Sequence, residues 1–331
     1  MASGACRNAT GHSGGHYEDS APPQHGNMTG PSSQHASARF RSPWLALERT
    51  AESLSDLGGV IAGVIWFAVV FLAVPFGRAW RTGQEAFCYW IANLHSPYTL
   101  SDWGSPIAYV YSPAFIQAVA PLTRLPWLLF MGIWTALLIG AVRFLTGRRL
   151  FAVGVLLATL ELAGGNIHLL LAVAIVLGFR WPAAWSFVLL TKVTPGIGLL
   201  WFVVRREWRQ LGIALGATAV VVAASATIMP QAWLDWFNLL NGLAGHDGST
   251  WAAVPIPFLV RLPIGIAIIV WGARTNRRWT VPVASMLALP ALWYGGLTML
   301  LAVIALRDPE RDPGAIPAAN PATAQGAGAA A

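Results

Sequence analysis

Trp127-Leu-Leu-Phe-Met-Gly-Ile-Trp-Thr-Ala-Leu-Leu-Ile-Gly-Ala-Val-Arg-Phe-Leu145 carries a single charge, Arg143, one turn from its end. A helical run of about 20 apolar residues matches the hydrocarbon thickness of a bilayer. An arginine so near its end can snorkel to the interface. Four more stretches read the same way: Leu57–Phe76, Trp185–Val204, Leu211–Met229 and Pro257–Ala273. Leu150–Phe179 and Val281–Leu306 are as apolar, but Gly, Asn, Pro or Trp interrupts them, which predicts hairpins of short helices. The pattern predicts an all-α fold, a polytopic transmembrane helix bundle of roughly 8 to 10 spans, short hairpin helices included.

Composition points the same way. The chain is 56% hydrophobic and 11% charged, whereas a soluble domain carries ~25% charged residues. So much apolar surface cannot all be buried in one chain, and the remainder is left to lipid. The net charge of +7 does not imply nucleic acid. Its arginines cluster at the ends of apolar runs (Arg148 and Arg149; Arg205, Arg206 and Arg209; Arg274, Arg277 and Arg278), as in positive cytoplasmic loops. Basic stripes with interleaved aromatics are missing. Cys6 and Cys88 are the only cysteines and lie far apart, which excludes a disulfide framework.

Residues 1–42 and 308–331 are rich in small and polar residues and predict disordered tails. The first of these has no apolar core of a signal peptide. His12 and His16 in it read as solvated rather than as metal ligands. Trp44, Leu45, Leu47, Leu54 and Leu57 recur near helical spacing among charges, predicting an interfacial amphipathic helix. Between the tails, residues 43–307 form the membrane-embedded domain. Arg39, Arg41 and Arg49 place the N-terminus in the cytoplasm. Residues 77–112 and 230–255 then become two external loops, and two long loops on one face favour a site there. The basic ends Phe179–Pro182 and Arg205–Arg209 both belong inside, with one span's length between them. A break near Thr194, imposed by Pro195, gives two half-helices that resolve this; one kinked span is the other reading.

Several polar groups lie in or beside apolar runs: Glu161, Asn166, His168, Lys192 and Arg261. Ionisable groups at membrane depth are costly and point to function, although Glu161 could simply pair with Lys192 or Arg261. In the first external loop, Glu85 and Asp102 stand among Tyr89, Trp90, Tyr98, Trp103, Tyr109 and Tyr111. Apolar surroundings raise a carboxyl pKa toward a value useful to a general base, and aromatic faces pack on sugar rings. An interfacial aromatic belt is the plainer alternative.

Three motifs in this order resemble the polyprenyl-phosphate-mannose-dependent mannosyltransferases of glycosyltransferase family 87, over about Glu85 to Leu306. The first is Glu85, Tyr89, Pro97-Tyr98, and Tyr111-Ser-Pro running on to Leu125-Pro-Trp127. Gly165-Asn-Ile-His-Leu-Leu170 is the second, and Lys192-Val-Thr-Pro195 before the basic cluster Arg205–Arg209 is the third. Pro290-Ala-Leu-Trp293 is a weaker fourth. Two positions depart from the family pattern: Glu85 stands where Asp is usual, and His168 where Asn is usual.

The resemblance implies the multi-span GT-C type of fold and an inverting transfer on the external face of the cell membrane, from a polyprenyl-phosphate sugar donor to a lipid or glycan acceptor. It makes Glu85 the general base, with Asp102 in reserve. Lys192 and Arg261 then bind the donor phosphate, and Asn166, His168, Tyr89 and Tyr111 hold phosphate or sugar. A lipid phosphate leaving group requires no divalent metal or other cofactor. Two other classes fit the residues. A transporter or lipid flippase also uses broken helices and buried charge, but the Lys192-x-x-Pro195 break has no second copy. A non-catalytic scaffold is the third reading.

Overall fold

The computed structural model describes residues 50, 53–61, 65, 83–92, 94–99, 108–243 and 254–307, all within one compact unit, Arg49–Ala331. Among them every regular element is helical. Both expected tails, most of the span Leu57–Phe76, Asp102 and Trp103 lie outside the described residues.

In chain order the helices are α1 (Gln84–Ile91), α2 (Pro113–Thr123), α3 (Trp127–Thr146), α4 (Phe151–Leu157), α5 (Thr159–Gly164), α6 (His168–Gly178), α7 (Trp185–Thr191), α8 (Leu200–Val204), α9 (Trp208–Ile228), α10 (Pro230–Leu243), α11 (Phe258–Arg274), α12 (Thr280–Leu287) and α13 (Leu301–Arg307). Two of them, α3 and α9, are long and apolar enough to cross a membrane. The expected span Trp185–Val204 is not one helix. α7 stops at Lys192, whose backbone is extended, and a 3-10 segment, Thr194–Leu199, leads into α8. The chain here is two short helical pieces meeting at Lys192 rather than one kinked helix. The interrupted stretches also form short helices as expected: α4 to α6, and α12 with the 3-10 segment Tyr294–Leu300 and α13.

Local sequence accounts for the boundaries. Pro126 opens α3, and Gly147, at φ 65°, ends it with its N–H on the Arg143 carbonyl; a left-handed residue after the last turn suits glycine. Arg143 does not snorkel alone. Its guanidinium meets Asp56 at 3.2 Å, and Arg148 meets the same carboxylate at 3.4 Å. The three side chains are partly exposed, so each pair contributes less than about 1 kcal/mol, though together they tie helical residues 53–61 to the end of α3.

The core gathers round α6. It is apolar on every side, and Leu169, Leu171, Ala172 and Ile175 have no exposed surface, as a fully surrounded helix requires. Helices α3, α7 and α13 and the segment Tyr294–Leu300 enclose it. By contrast, α9 buries only Ala214 and Ser225. Ile213, Leu215, Val220, Val221 and Ile228 are exposed on it, as are Leu259, Val260, Ile264, Ile266 and Trp271 on α11. Apolar surface of this extent left uncovered on both helices suits a nonpolar surrounding.

Candidate functional site

A polar island lies between α1, the turn joining α5 to α6, and the break after α7. Its centre is a chain of three side chains. The Glu161 carboxylate (1% exposed) accepts the backbone N–H of His168 on Oε1 at 2.6 Å and lies 3.0 Å from His168 Nδ1 through Oε2. On the other edge of the ring, His168 Nε2 is 2.9 Å from Lys192 Nζ. An ammonium can only donate, so Nε2 is the acceptor and Nδ1 carries the proton toward Glu161. The geometry suits a neutral His168 ring with its proton on Nδ1.

The turn Gly165–Ile167 makes this chain possible. Gly165 has φ 71°, and a Cβ on it would come within 2.6 Å of the Ala86 Cβ on α1. Its carbonyl accepts from the indole of Trp134 at 2.7 Å. Asn166 Oδ1 accepts the N–H of Ile167 at 2.7 Å and lies 3.5 Å from the Tyr89 hydroxyl. Tyr89 in turn meets Tyr111 hydroxyl to hydroxyl at 3.1 Å, and the ring of Tyr111 lies 5.9 Å from Lys192 Nζ. Asn166, His168, Lys192, Tyr89 and Tyr111, expected together from sequence, do form one cluster. Replacing Gly165 by Ala forces a left-handed alanine, worth about 1–2 kcal/mol, and adds the clash with Ala86. We expect a lowered thermal midpoint and a displaced α1, measurable as loss of whatever activity depends on Glu85.

Glu85 approaches the island from α1. The close passage of Gly165 past Ala86, together with a bond from the N–H of Gly83 to the Ala163 carbonyl, seats α1 on the end of α5. Glu85 is half-buried outside the two long apolar helices. Burial raises its pKa above the ordinary carboxylate range; the nearby Lys192 charge opposes this and Glu161 reinforces it. Beside the island, the hydroxyls of Ser112 and Thr194 are buried and make no hydrogen bond in the structure, and such groups call for an explanation.

Arg261, expected at the phosphate with Lys192, faces elsewhere. It is 1% exposed, and four of the five guanidinium N–H groups donate to the carbonyls of Ile256, Leu287, Leu289 and Pro290 at 2.7–2.8 Å. It closes the end of α12 and the chain that follows. Four donors that could grip an anion are held by the backbone instead, which weighs against the phosphate role expected for Arg261. Glu161 counts in the sequence among the costly polar groups that point to function, with pairing to Lys192 or Arg261 as the alternative; its partner in the structure is His168. Its signal was there, a carboxylate seven residues before the histidine with Gly164-Gly165 between, a turn able to fold one back on the other.

A family model for glycosyltransferase family 87 matches residues 109–319. Tyr111, Asn166, His168, Lys192 and Arg261 fall inside the match; Glu85, Tyr89 and Asp102 precede it. No curated protein matches the chain, and no solved structure does. With most of the chain matched, including the turn and the break that build the island, this protein belongs to glycosyltransferase family 87 and is a glycosyltransferase.

Proposed function

We propose that the protein transfers a sugar, mannose by family resemblance, from a polyprenyl phosphate to an acceptor hydroxyl at the external face of the cell membrane. The observation that carries this reading is the cluster of Lys192, His168 and Asn166 lined by Tyr89 and Tyr111, with the half-buried Glu85 near enough for the Lys192 charge to act on its carboxyl. In the reaction the acceptor oxygen attacks the anomeric carbon as the bond from that carbon to the phosphate oxygen breaks. Glu85 takes the hydroxyl proton. The phosphate leaves with the bonding electron pair, and Lys192 stabilises the charge that grows on it. Attack opposite the leaving group inverts the anomeric centre. With Arg261 committed to carbonyls, the phosphate falls to Lys192, and Asp102 stays the reserve base.

The multi-pass arrangement belongs to the same proposal. The exposed apolar perimeters of α9 and α11 support it, and the arginines at segment ends support a cytoplasmic N-terminus with residues 77–112 and 230–255 outside. The acceptor is a lipid or glycan hydroxyl. The test uses purified protein in lipid nanodiscs with radiolabelled mannosyl polyprenyl phosphate and an extract of membrane lipids. Label should pass to an extractable acceptor with inverted anomeric configuration. Donor left intact in the presence of every acceptor fraction, with other polyprenyl-phosphate sugars equally inert, would overturn the reading. Label crossing sealed vesicles without a new bond would make the protein a transporter.

A further inference from the structure

We propose that Glu161 is a positioning residue for the transfer, acting through the tautomer of His168 on the aim of the Lys192 ammonium. The proposal rests on the functional reading above and adds a residue to it. The argument follows the protons. Glu161 Oε1 faces a backbone N–H, that of His168, at 2.6 Å. A main-chain amide has no other role than donor, so whatever atom stands at Oε1 must accept. Oε2 faces His168 Nδ1 at 3.0 Å. A carboxylate accepts with both oxygens, which draws the ring proton to Nδ1 and leaves Nε2 as a lone pair aimed at Lys192 Nζ, 2.9 Å away. The ammonium, on an extended residue at a helix break, is thus anchored by one N–H and keeps two for the donor phosphate.

Space around Glu161 leaves it little alternative. A Cβ on Gly295 would fall within 2.4 Å of its Oε2, and one on Gly296 would stand 3.9 Å from His168 Nε2. The backbone at Gly295 and Gly296 therefore packs directly on the pair. A carboxylate and a ring held so closely cannot exchange partners without moving that segment.

The isosteric substitution Glu161→Gln has a sharp consequence. Its amide oxygen must take the Oε1 place, because the main-chain N–H there cannot turn away. The NH2 group then faces Nδ1 and forces it to accept. The ring proton moves to Nε2, where it confronts the ammonium donor to donor, and Lys192 loses its anchor. His168→Asn removes the ring, so the side chain at 161 no longer reaches Lys192 through it.

The experiment combines nitrogen-15 NMR of histidine-labelled protein in nanodiscs with a double-mutant cycle. The His168→Asn spectrum identifies the His168 signals by subtraction. Wild type should show a protonated Nδ1 and a bare Nε2, and Glu161→Gln the reverse. In steady-state transfer, Glu161→Gln should lower donor kcat/KM by about tenfold or more, the size of one charge-assisted hydrogen bond, with acceptor KM unchanged. In the His168→Asn background the same substitution should change donor kcat/KM by less than about twofold, since the route is gone. An unchanged tautomer in Glu161→Gln, or equal losses in both backgrounds, overturns the proposal. If wild type transfers no polyprenyl-phosphate sugar, the functional reading fails by itself, and the NMR comparison still decides whether Glu161 sets the ring.

Discussion

Glu85→Gln protein should fold and bind donor yet lose sugar transfer by about 10²–10⁴-fold, the range of a removed general base. The amide keeps the size of the carboxyl but takes no proton at neutral pH. Seating of α1 depends on Gly83, Ala86 and Gly165 rather than on the Glu85 charge, so thermal midpoint and donor affinity should stay near wild type. The pH profile carries the same residue's mark. A base must be ionised to act, so activity falls as pH drops through its pKa. Burial lifts that value, against the opposing pull of Lys192, and the acid limb of kcat/KM should therefore lie above the ordinary carboxylate range of ~4.3. Initial rates with radiolabelled donor, measured across pH for both proteins, check this. Full activity in Glu85→Gln would remove Glu85 from the role and pass it to Asp102.

Arg261→Met should damage the fold rather than the chemistry. The substitution keeps the stem but leaves the carbonyls of Ile256, Leu287, Leu289 and Pro290 without the guanidinium that reaches all four. An unsatisfied buried polar group costs about 1–3 kcal/mol, so the loss should reach ~4 kcal/mol or more, a large share of a typical folding free energy of ~5–15 kcal/mol. Fluorescence-detected size exclusion after heating should show a much lower midpoint or no monodisperse peak. Arg261→Lys should rescue little, since a compact ammonium with three donors cannot span carbonyls that a planar fork bridges. Any Arg261→Met protein that stays folded should retain donor affinity; a stable variant that had lost that affinity would restore Arg261 to the phosphate.

These two arginine and glutamate residues also mark how far the sequence could be read. Helix type, the short hairpin helices and the break beside Lys192 followed from apolar run lengths and from Pro195, because those are local effects. Convergence of Asn166, His168, Lys192, Tyr89 and Tyr111 was legible as a set of polar groups with nowhere else to go in an apolar chain. Arg261 misled for the same reason. A charge in an apolar run reads as a ligand group, and the carbonyls it serves lie 26 to 29 residues onward at three of the four contacts, at a helix end that no residue type announces. The Glu161–His168 link was hidden because a spacing of seven suggests one helix face, whereas Gly165 turns the chain between them. The half-helices meet at Lys192, the one extended residue there, while Val193 and Thr194 before Pro195 are already helical.

The shallow burial of α9 has a mechanical consequence. Its buried residues Ala214 and Ser225 are eleven positions apart, close to three turns, and so lie along one line of the cylinder. Near its C-terminal end the Ser225 hydroxyl accepts from the Trp233 indole and its carbonyl from the Gln117 amide. At ~1.5 Å per residue α9 is about 31 Å long, a match for hydrocarbon of ~30 Å. Helix α9 also packs against α7 and the segment Pro182–Ala184, so a bilayer thinner than its length would tilt α9 and α7 together rather than α9 alone.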